Sequence, residues 1–306
     1  MEVRPTPMPL DERASILDHL TPPFTVRWPS EQLAPFVVCS PHSGRVYTPR
    51  FLAQSRLDPH SLRKSEDCYV DELFGSVAGL GAPLLAARFP RAYLDVNREP
   101  YELDPELFLG PLPSFANTQS VRVAGGLGTI ARIVADGEEI YHGRLSLTAG
   151  LERIERLYKP FHAALAQLLE ETRRRFGYAV LIDCHSMPSV STGQGQAARP
   201  DFVLGDRFGA SCDARLTRFV RDALATLGYD VQLNRPYAGG YITEHYGRPF
   251  KGIHALQIEV NRALYLDEGA LEPVGGFVQL QADLALVAER LFSEFPVLLE
   301  RRAAAE

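Results

Sequence analysis

"RFGYAVLIDCHS", residues 175–186, joins two different periodicities at a single glycine. Upstream of it, Leu151, Ile154, Leu157, Phe161, Leu165, Leu168 and Leu169 recur at helical spacing. They predict a helix from about Thr148 to Phe176, kinked at Pro160 and stopped by Gly177. Downstream, residues 178–183 are a short apolar run that reads as a buried strand and leads directly into His185. A long amphipathic helix feeding a fully apolar strand is the repeating unit of a layered α/β fold.

The pattern extends in both directions. "FVVCSPHSG", residues 36–44, is another apolar strand (36–40) that ends in a histidine, His42, set in a Pro-His-Ser-Gly turn. The turn needs Pro, Ser and Gly for its backbone, and the imidazole adds nothing to that. Val70, Leu73, Phe74, Val77 and Leu80 predict a helix over 66–80 with Gly81 as its stop. "APLLAARF" and "AYLDVN" are short strand candidates, and "HALQIEVN", residues 254–261, is a further strand. Leu216, Phe219, Val220, Leu224 and Leu227 predict a helix over 211–227, and a last helix covers about 275–303. Residues 1–34 read as an irregular lead-in. In "RVAGGLGTIARI" a glycine-rich loop precedes a strand, but it matches neither nucleotide-binding fingerprint. The expected architecture is one α/β domain over 1–306: a three-layer α/β/α sandwich on a mixed, largely parallel sheet.

Composition narrows the function. With 32 basic and 38 acidic residues the chain carries a formal charge of −6, which argues against a nucleic-acid binder. It leaves room for anionic small substrates met by a local arginine cluster. No apolar run approaches bilayer length, and "MEVRPTPMPLDERAS" lacks the apolar centre of a signal peptide, so a cytoplasmic setting away from membranes is expected. Cys39, Cys68, Cys184 and Cys212 are scattered without a CxxC pair, consistent with reduced thiols.

In open α/β sheets, ligands bind beyond the carboxyl ends of the strands, where both His42 and His185 are expected. Two imidazoles and one carboxylate form a catalytic zinc set that leaves a position open. "KSEDCYVDELF" offers Glu66, Asp67, Asp71 and Glu72, although acidic residues at the start of a helix are ordinary dipole partners. Asp183 suits a supporting role behind a metal-bound histidine. "FPRAYLDVNREP" places Arg91 and Arg98 around Asp95, with Asn97 adjacent, as a possible clamp for a carboxylate. In the 254–261 strand, Leu256, Ile258 and Val260 share one face, while Gln257 and Glu259 share the other. Glu259 reads either as a salt-bridge partner of Arg262 or as a general base.

Seven segments in order, "SPHSGRVYTP", "EDCYVDELF", "PRAYLDVNR", "YKPFHAAL", "IDCHSMPS", "PYAGGYITEHYG" and "HALQIEVNRALYLDE", resemble the N-formylglutamate amidohydrolase family across about residues 35–268. That family is similar in fold and metal chemistry to zinc carboxypeptidases and aspartoacylase-type deacylases. The resemblance implies His42, Asp67 and His185 as zinc ligands, with Glu66 as the alternative acid. It implies Glu259 as the catalytic glutamate, Arg91 as the group polarising the scissile carbonyl, and Asn97 and Arg98 as carboxylate holders. Gly239, Gly240, Thr243 and Tyr246 follow as further substrate contacts. One departure stands out. The carboxypeptidase acid lies three residues after its histidine, and that position here is Arg45.

The implied reaction is hydrolysis of N-formyl-L-glutamate to formate and L-glutamate by a zinc-activated water with Glu259 as base. Iron, cobalt or manganese would suit the same donors. The rival readings are a hydrolase of another N-acyl amino acid, and a silent amino-acid-binding protein, against which the presence of both histidines, Asp67 and Glu259 weighs. A serine hydrolase using Ser43 or Ser186 lacks the G-x-S-x-G elbow.

Overall fold

The computed structural model describes residues 11–134, 137–189 and 199–303, with side chains of the last helix described as far as residue 297. Its strands in chain order are β1 (Phe24–Arg27), β2 (Phe36–Ser40), β3 (Leu84–Ala87), β4 (Phe108–Leu109), β5 (Leu145–Ser146) and β6 (Ala179–Met187). They continue as β7 (Phe202–Gly205), β8 (Val231–Leu233), β9 (Ile253–Asn261), β10 (Leu266–Asp267) and β11 (Glu272–Pro273). Seven of them form the main sheet in the order β1-β3-β2-β6-β9-β7-β8. Pairing is parallel throughout except at β1·β3 and β7·β9, so the sheet is mixed and largely parallel, as the sequence predicts.

Strand alternation divides the interior into two cores. Val38, Ile182, Leu256, Ile258 and Val260 pack against the Ala214–Thr226 and Gly276–Ala303 helices. Val37, Cys39, Leu181 and Ala255 face the opposite way, onto Phe161, Leu165, Leu168 and Leu169 of the Lys159–Phe176 helix. Each fully buried leucine in these layers contributes about 1.5–3 kcal/mol.

The second face changes character along its length. It is apolar at Ala179, Leu181 and Ala255, then carries Asp183, His185, Gln257 and Glu259 at the carboxyl ends of β6 and β9. Parallel register sets Asp183 opposite Gln257 and His185 opposite Glu259. The same alternation that builds the core at one end therefore presents polar groups at the other.

Local outcomes differ from the sequence reading in five places. The lead-in is not irregular where described: Glu12–His19 is a helix and β1 is an edge strand of the main sheet, while residues 1–10 lie outside the described residues. The helix expected over 66–80 is reduced to Val70–Leu73 and a 3₁₀ turn, Gly75–Ala78, because Tyr69 sits in the left-handed region (φ 61°) and blocks helix entry before it. "AYLDVN" is a turn, not a strand, with Tyr93 N–H donating to Pro90 O. "RVAGGLGTIARI" yields a short helix, Val121–Ala124, and an isolated bridge at Ile133 in place of a strand. Strands β7 and β8, four and three residues long, were not anticipated. The long helix does form, as Leu147–Arg153 and Lys159–Phe176 joined by a π-turn, Ile154–Tyr158. The wide turn lies just before Pro160, whose ring crowds the preceding turn of a regular helix. All four cysteines are free and buried, and no helix among the described residues is long and apolar enough to cross a membrane.

Candidate active site

The carboxyl ends of β2, β6 and β9 meet the loops after β3 and before the Tyr241–Tyr246 helix. Beyond β2, the chain turns at Pro41–His42. Gly44 is required there, because a Cβ would lie 2.2 Å from Phe89 O. The "EDCY" segment is pinned to this turn by the Asp67 N–H, which donates to His42 O at 3.0 Å. Thus two segments far apart in the chain put an imidazole and a carboxylate side by side.

His42, Asp67 and His185 are all buried, and one donor atom from each lies within 4.8 Å of the others. Both imidazoles turn Nδ1 toward Asp67 Oδ2, His185 at 3.0 Å and His42 at 3.3 Å. Their opposite nitrogens face carboxylates: His42 Nε2 lies 2.7 Å from Asp95 Oδ1, and His185 Nε2 lies 3.1 Å from Asp183 Oδ1. Despite its proximity to Asp67, His42 Nδ1 makes no hydrogen bond, a costly state for a buried nitrogen. Two nitrogens and an oxygen aimed at one point, each imidazole backed by a carboxylate, make the donor set of a divalent transition metal. The residues fit such an ion.

The carboxylate that faces the imidazoles is Asp67 and not Glu66. Glu66 faces away, accepting from Tyr47 OH at 2.5 Å and from Arg63 at 3.3 Å. Arg45, at the carboxypeptidase acid position, pairs instead with Asp71 and Glu72. Burial alone would raise the Asp67 pKa, but the hydrogen bond with His185 and the neighbouring His42 imidazole hold it well below the carboxylate range. Burial also disfavours the His185 cation, yet Asp183 and Asp67 more than offset it and raise its pKa.

Glu259 sits across from His185 and its pKa is pushed up to about 7, chiefly by burial. Its Oε1 accepts from Gln257 Nε2 at 2.9 Å, and Gln257 Oε1 accepts from Gly240 N–H at 2.7 Å. Arg262 is not its partner. Arg262 reaches the other way, donating to Glu66 O and Ser186 Oγ and lying 3.4 Å from Asp67 Oδ1.

Arg91, Asp95 and Arg98 form a second ring. Arg91 Nε donates to Asp95 Oδ2 at 3.0 Å, and Arg98 Nη2 lies 3.4 Å from the same oxygen. Arg98 spends Nε on Leu127 O and Nη1 on Asn97 O. Asn97 is also committed: its Nδ2 lies 3.3 Å from His185 Nε2, and its Oδ1 accepts from Ile242 N–H. Gly240 is needed for that approach, since a Cβ would lie 2.3 Å from Asn97 Nδ2.

These groups line a cavity of about 600 Å³ that also includes Gly239, Gly240 and Gly128. Its described walls carry Lys64, Arg91, Arg98, Arg122, Arg199 and Arg262 against the carboxylates of Asp67, Asp95 and Glu259. Thr243 and Tyr246 stand behind the wall: Thr243 Oγ1 donates to Asp183 Oδ2, and Tyr246 OH bonds His162. Ser43 bonds Ser40 and Ser186 accepts from Arg262, so neither serine is activated by a histidine. Sequence reasoning missed Lys64, Arg122, Arg199 and Tyr237, because single loop residues carry no periodic signal.

Comparison with known proteins gives the family. Residues 34–266 match the family model described as N-formylglutamate amidohydrolase. The chain is 32% identical over 239 residues to an N-formylglutamate deformylase of Pseudomonas aeruginosa, covering 77% of this chain and 84% of that protein. The corresponding protein of Pseudomonas putida is 32% identical over 238 residues, covering 76% and 82%. The crystal structure of an N-formylglutamate amidohydrolase from Ralstonia eutropha JMP134 superposes with a TM-score of 0.83 at 38% identity, covering 88% of this chain and 96% of that one.

Proposed function

Because this chain belongs to the N-formylglutamate amidohydrolase family, we propose that it hydrolyses the formyl amide of N-formyl-L-glutamate to formate and L-glutamate. The observation that carries the reading is the convergence of His42 Nδ1, Asp67 Oδ2 and His185 Nδ1 in the cavity that Glu259 also lines. These three residues would hold zinc or a related divalent ion, which when bound supplies Lewis-acid polarisation and lowers the pKa of water from 15.7 to about 7.

The chain's own groups supply the proton traffic. Glu259 takes a proton from the water that attacks the formyl carbon and delivers it to the amide nitrogen as the C–N bond breaks. A carboxylate pushed up to about 7 is matched to both transfers near neutral pH. Gln257 holds Oε1 of that carboxylate and fixes its direction. Arg91 has Nε on Asp95, and among the described residues no partner engages its Nη1 or Nη2, which therefore serve the carbonyl oxygen as it gains charge. Removing one such donor costs about 10²–10³ in turnover. Arg98 Nη2, the one of its nitrogens not spent on a backbone carbonyl, takes the α-carboxylate. Asn97 acts by holding His185 and the 240–242 backbone, and the substrate is left to the arginines.

The test is metal content beside formate release, for wild type and His185→Ala. About one zinc per chain and formate from N-formyl-L-glutamate, both lost in the variant, are expected. Metal without formate release would move the substrate to another N-acyl amino acid. Neither metal nor activity in the wild type, even after zinc is restored, would overturn the mechanism.

A further inference from the structure

The cavity cations differ in what they already hold. Arg262 is consumed by Asp67 and the Glu66 carbonyl, and Arg98 spends two nitrogens on backbone carbonyls and keeps only Nη2, 3.4 Å from Asp95. Arg91 is half consumed by Asp95. Lys64 and Arg122, at the rim, lie 3.8 Å from Glu138 and 3.9 Å from Glu102. Arg199 stands apart. Among the described residues no carboxylate lies within ion-pair distance of it, and its Nε is buried without a hydrogen-bond partner. The adjoining stretch "VSTGQGQAA", residues 190–198, contains no acidic residue.

Arg199 is half-buried, and a buried guanidinium N–H left without an acceptor is unfavourable, so an anion entering the cavity would satisfy it. Arg199 is also braced for one. Its Nη1 donates to Tyr237 OH at 2.5 Å, its guanidinium lies 5.3 Å from the centre of that ring, and Asn261 Nδ2 donates to the carbonyls of both Arg199 and Pro200. Asn261 ends β9, the strand that bears Glu259, so the Arg199 carbonyl is tied to that strand through the Asn261 side-chain amide.

We propose that Arg199, held by Tyr237, binds the side-chain carboxylate of the substrate and so selects N-formyl dicarboxylic amino acids over their neutral counterparts. The choice of carboxylate follows from bond count. The α-carboxylate is attached next to the scissile nitrogen and belongs with Arg98, which with Arg91 surrounds Asp95 behind His42. The side-chain carboxylate lies further from the reacting amide and requires a cation outside that ring. The inference rests on the deformylase reading, and its test separates the two.

Formate release is measured from N-formyl-L-glutamate and N-formyl-L-glutamine, for wild type, Arg199→Gln and Arg199→Lys. The ratio of the two kcat/KM values within one preparation does not depend on how much of a variant folds. Arg199→Gln is expected to lower that ratio about 10–100-fold through KM for the charged substrate, with Arg199→Lys intermediate. Equal loss on both substrates, or an unchanged ratio, overturns the proposal. If wild type releases formate from neither, the deformylase reading falls and calorimetry with L-glutamate decides for Arg199 alone. About tenfold weaker binding in Arg199→Gln then upholds it, and equal affinity or no binding to wild type overturns it.

Discussion

Two clusters of charge are buried on the same face of the sheet, and they are built on opposite rules. In the first, Glu12 accepts from Arg153 Nε, Arg50 Nε and Tyr93 OH, all at 2.6 Å. Arg153, with none of its side chain exposed, spends its other nitrogens on Tyr93 O, Tyr141 OH and Gln54, and lies 3.9 Å from the centre of the Tyr93 ring. In the second, two imidazoles share a space with Asp67, Asp95, Asp183 and Glu259, and His42 Nδ1 and Asp183 Oδ1 make no hydrogen bond. Complete satisfaction marks a cluster that holds structure. Incomplete satisfaction, in a cavity wall, marks one that waits for a ligand.

The two glutamates at the centre of these clusters sharpen the contrast. Burial raises both, but for Glu12 the partners, Arg153 first, more than offset it and its pKa is lowered from 4.5. For Glu259 burial prevails and the pKa rises to about 7. Ionisation therefore stabilises the fold at one site and strains it at the other.

The largest effect is expected from Glu259→Gln, which keeps the shape of the side chain but abolishes the base. Turnover should fall about 10²–10⁴-fold while thermal unfolding stays level or improves. A variant that lost stability instead would make Glu259 a structural residue and erase the distinction between the clusters. Next in size is Arg153→Ala, which leaves Glu12 buried without its main partner. It should cost about 3–5 kcal/mol in urea unfolding, with metal affinity of the folded fraction unchanged. Unchanged stability would show that the satisfied cluster does not hold the fold.

Asp95→Asn probes the border, since Asp95 backs His42 and is held by both arginines. Metal affinity, read by competition with a chelator, should weaken about 10–100-fold. A change in stability with affinity intact would move Asp95 into the first class. The smallest effects are in pH. Glu12 has a lowered folded pKa, so its contribution is in place above 4.5 and is lost as pH falls through the folded value. Glu259 has a raised folded pKa, so stability declines between about 4.5 and 7 as pH rises, and kcat/KM climbs over the upper part of that window. Wild type should regain stability relative to Glu259→Gln on acidification below 7. A rate profile whose acid limb lay near 4.5 would remove Glu259 as the base.

The sequence disclosed these clusters unequally. β2, β6 and β9 were legible because a buried parallel strand is a continuous apolar run, and the histidines that end two of them are conspicuous. The acid among Glu66, Asp67, Asp71 and Glu72 was not legible from spacing. The left-handed Tyr69 and the Asp67-to-His42 backbone bond decide which carboxylate turns inward. "AYLDVN" misled because Tyr93, Leu94 and Val96 are all buried, and burial on every side imitates a strand in a turn packed under Arg153. The Glu12 cluster was wholly hidden. Its partners lie 38, 81 and 141 residues away along the chain, and no local pattern marks them.

The in-register pairing of β6 and β9 has a consequence for how this molecule can change. His185 and Glu259 are spaced by a ladder of backbone hydrogen bonds, as are Asp183 and Gln257. If these four groups carry the reaction as proposed, side chains on that ladder admit little variation without its loss. Arg199 and Tyr237 stand outside it, on connections between strands, where substitution leaves the ladder intact. Descendants of this chain are thus free to alter what they cut long before they alter how they cut it.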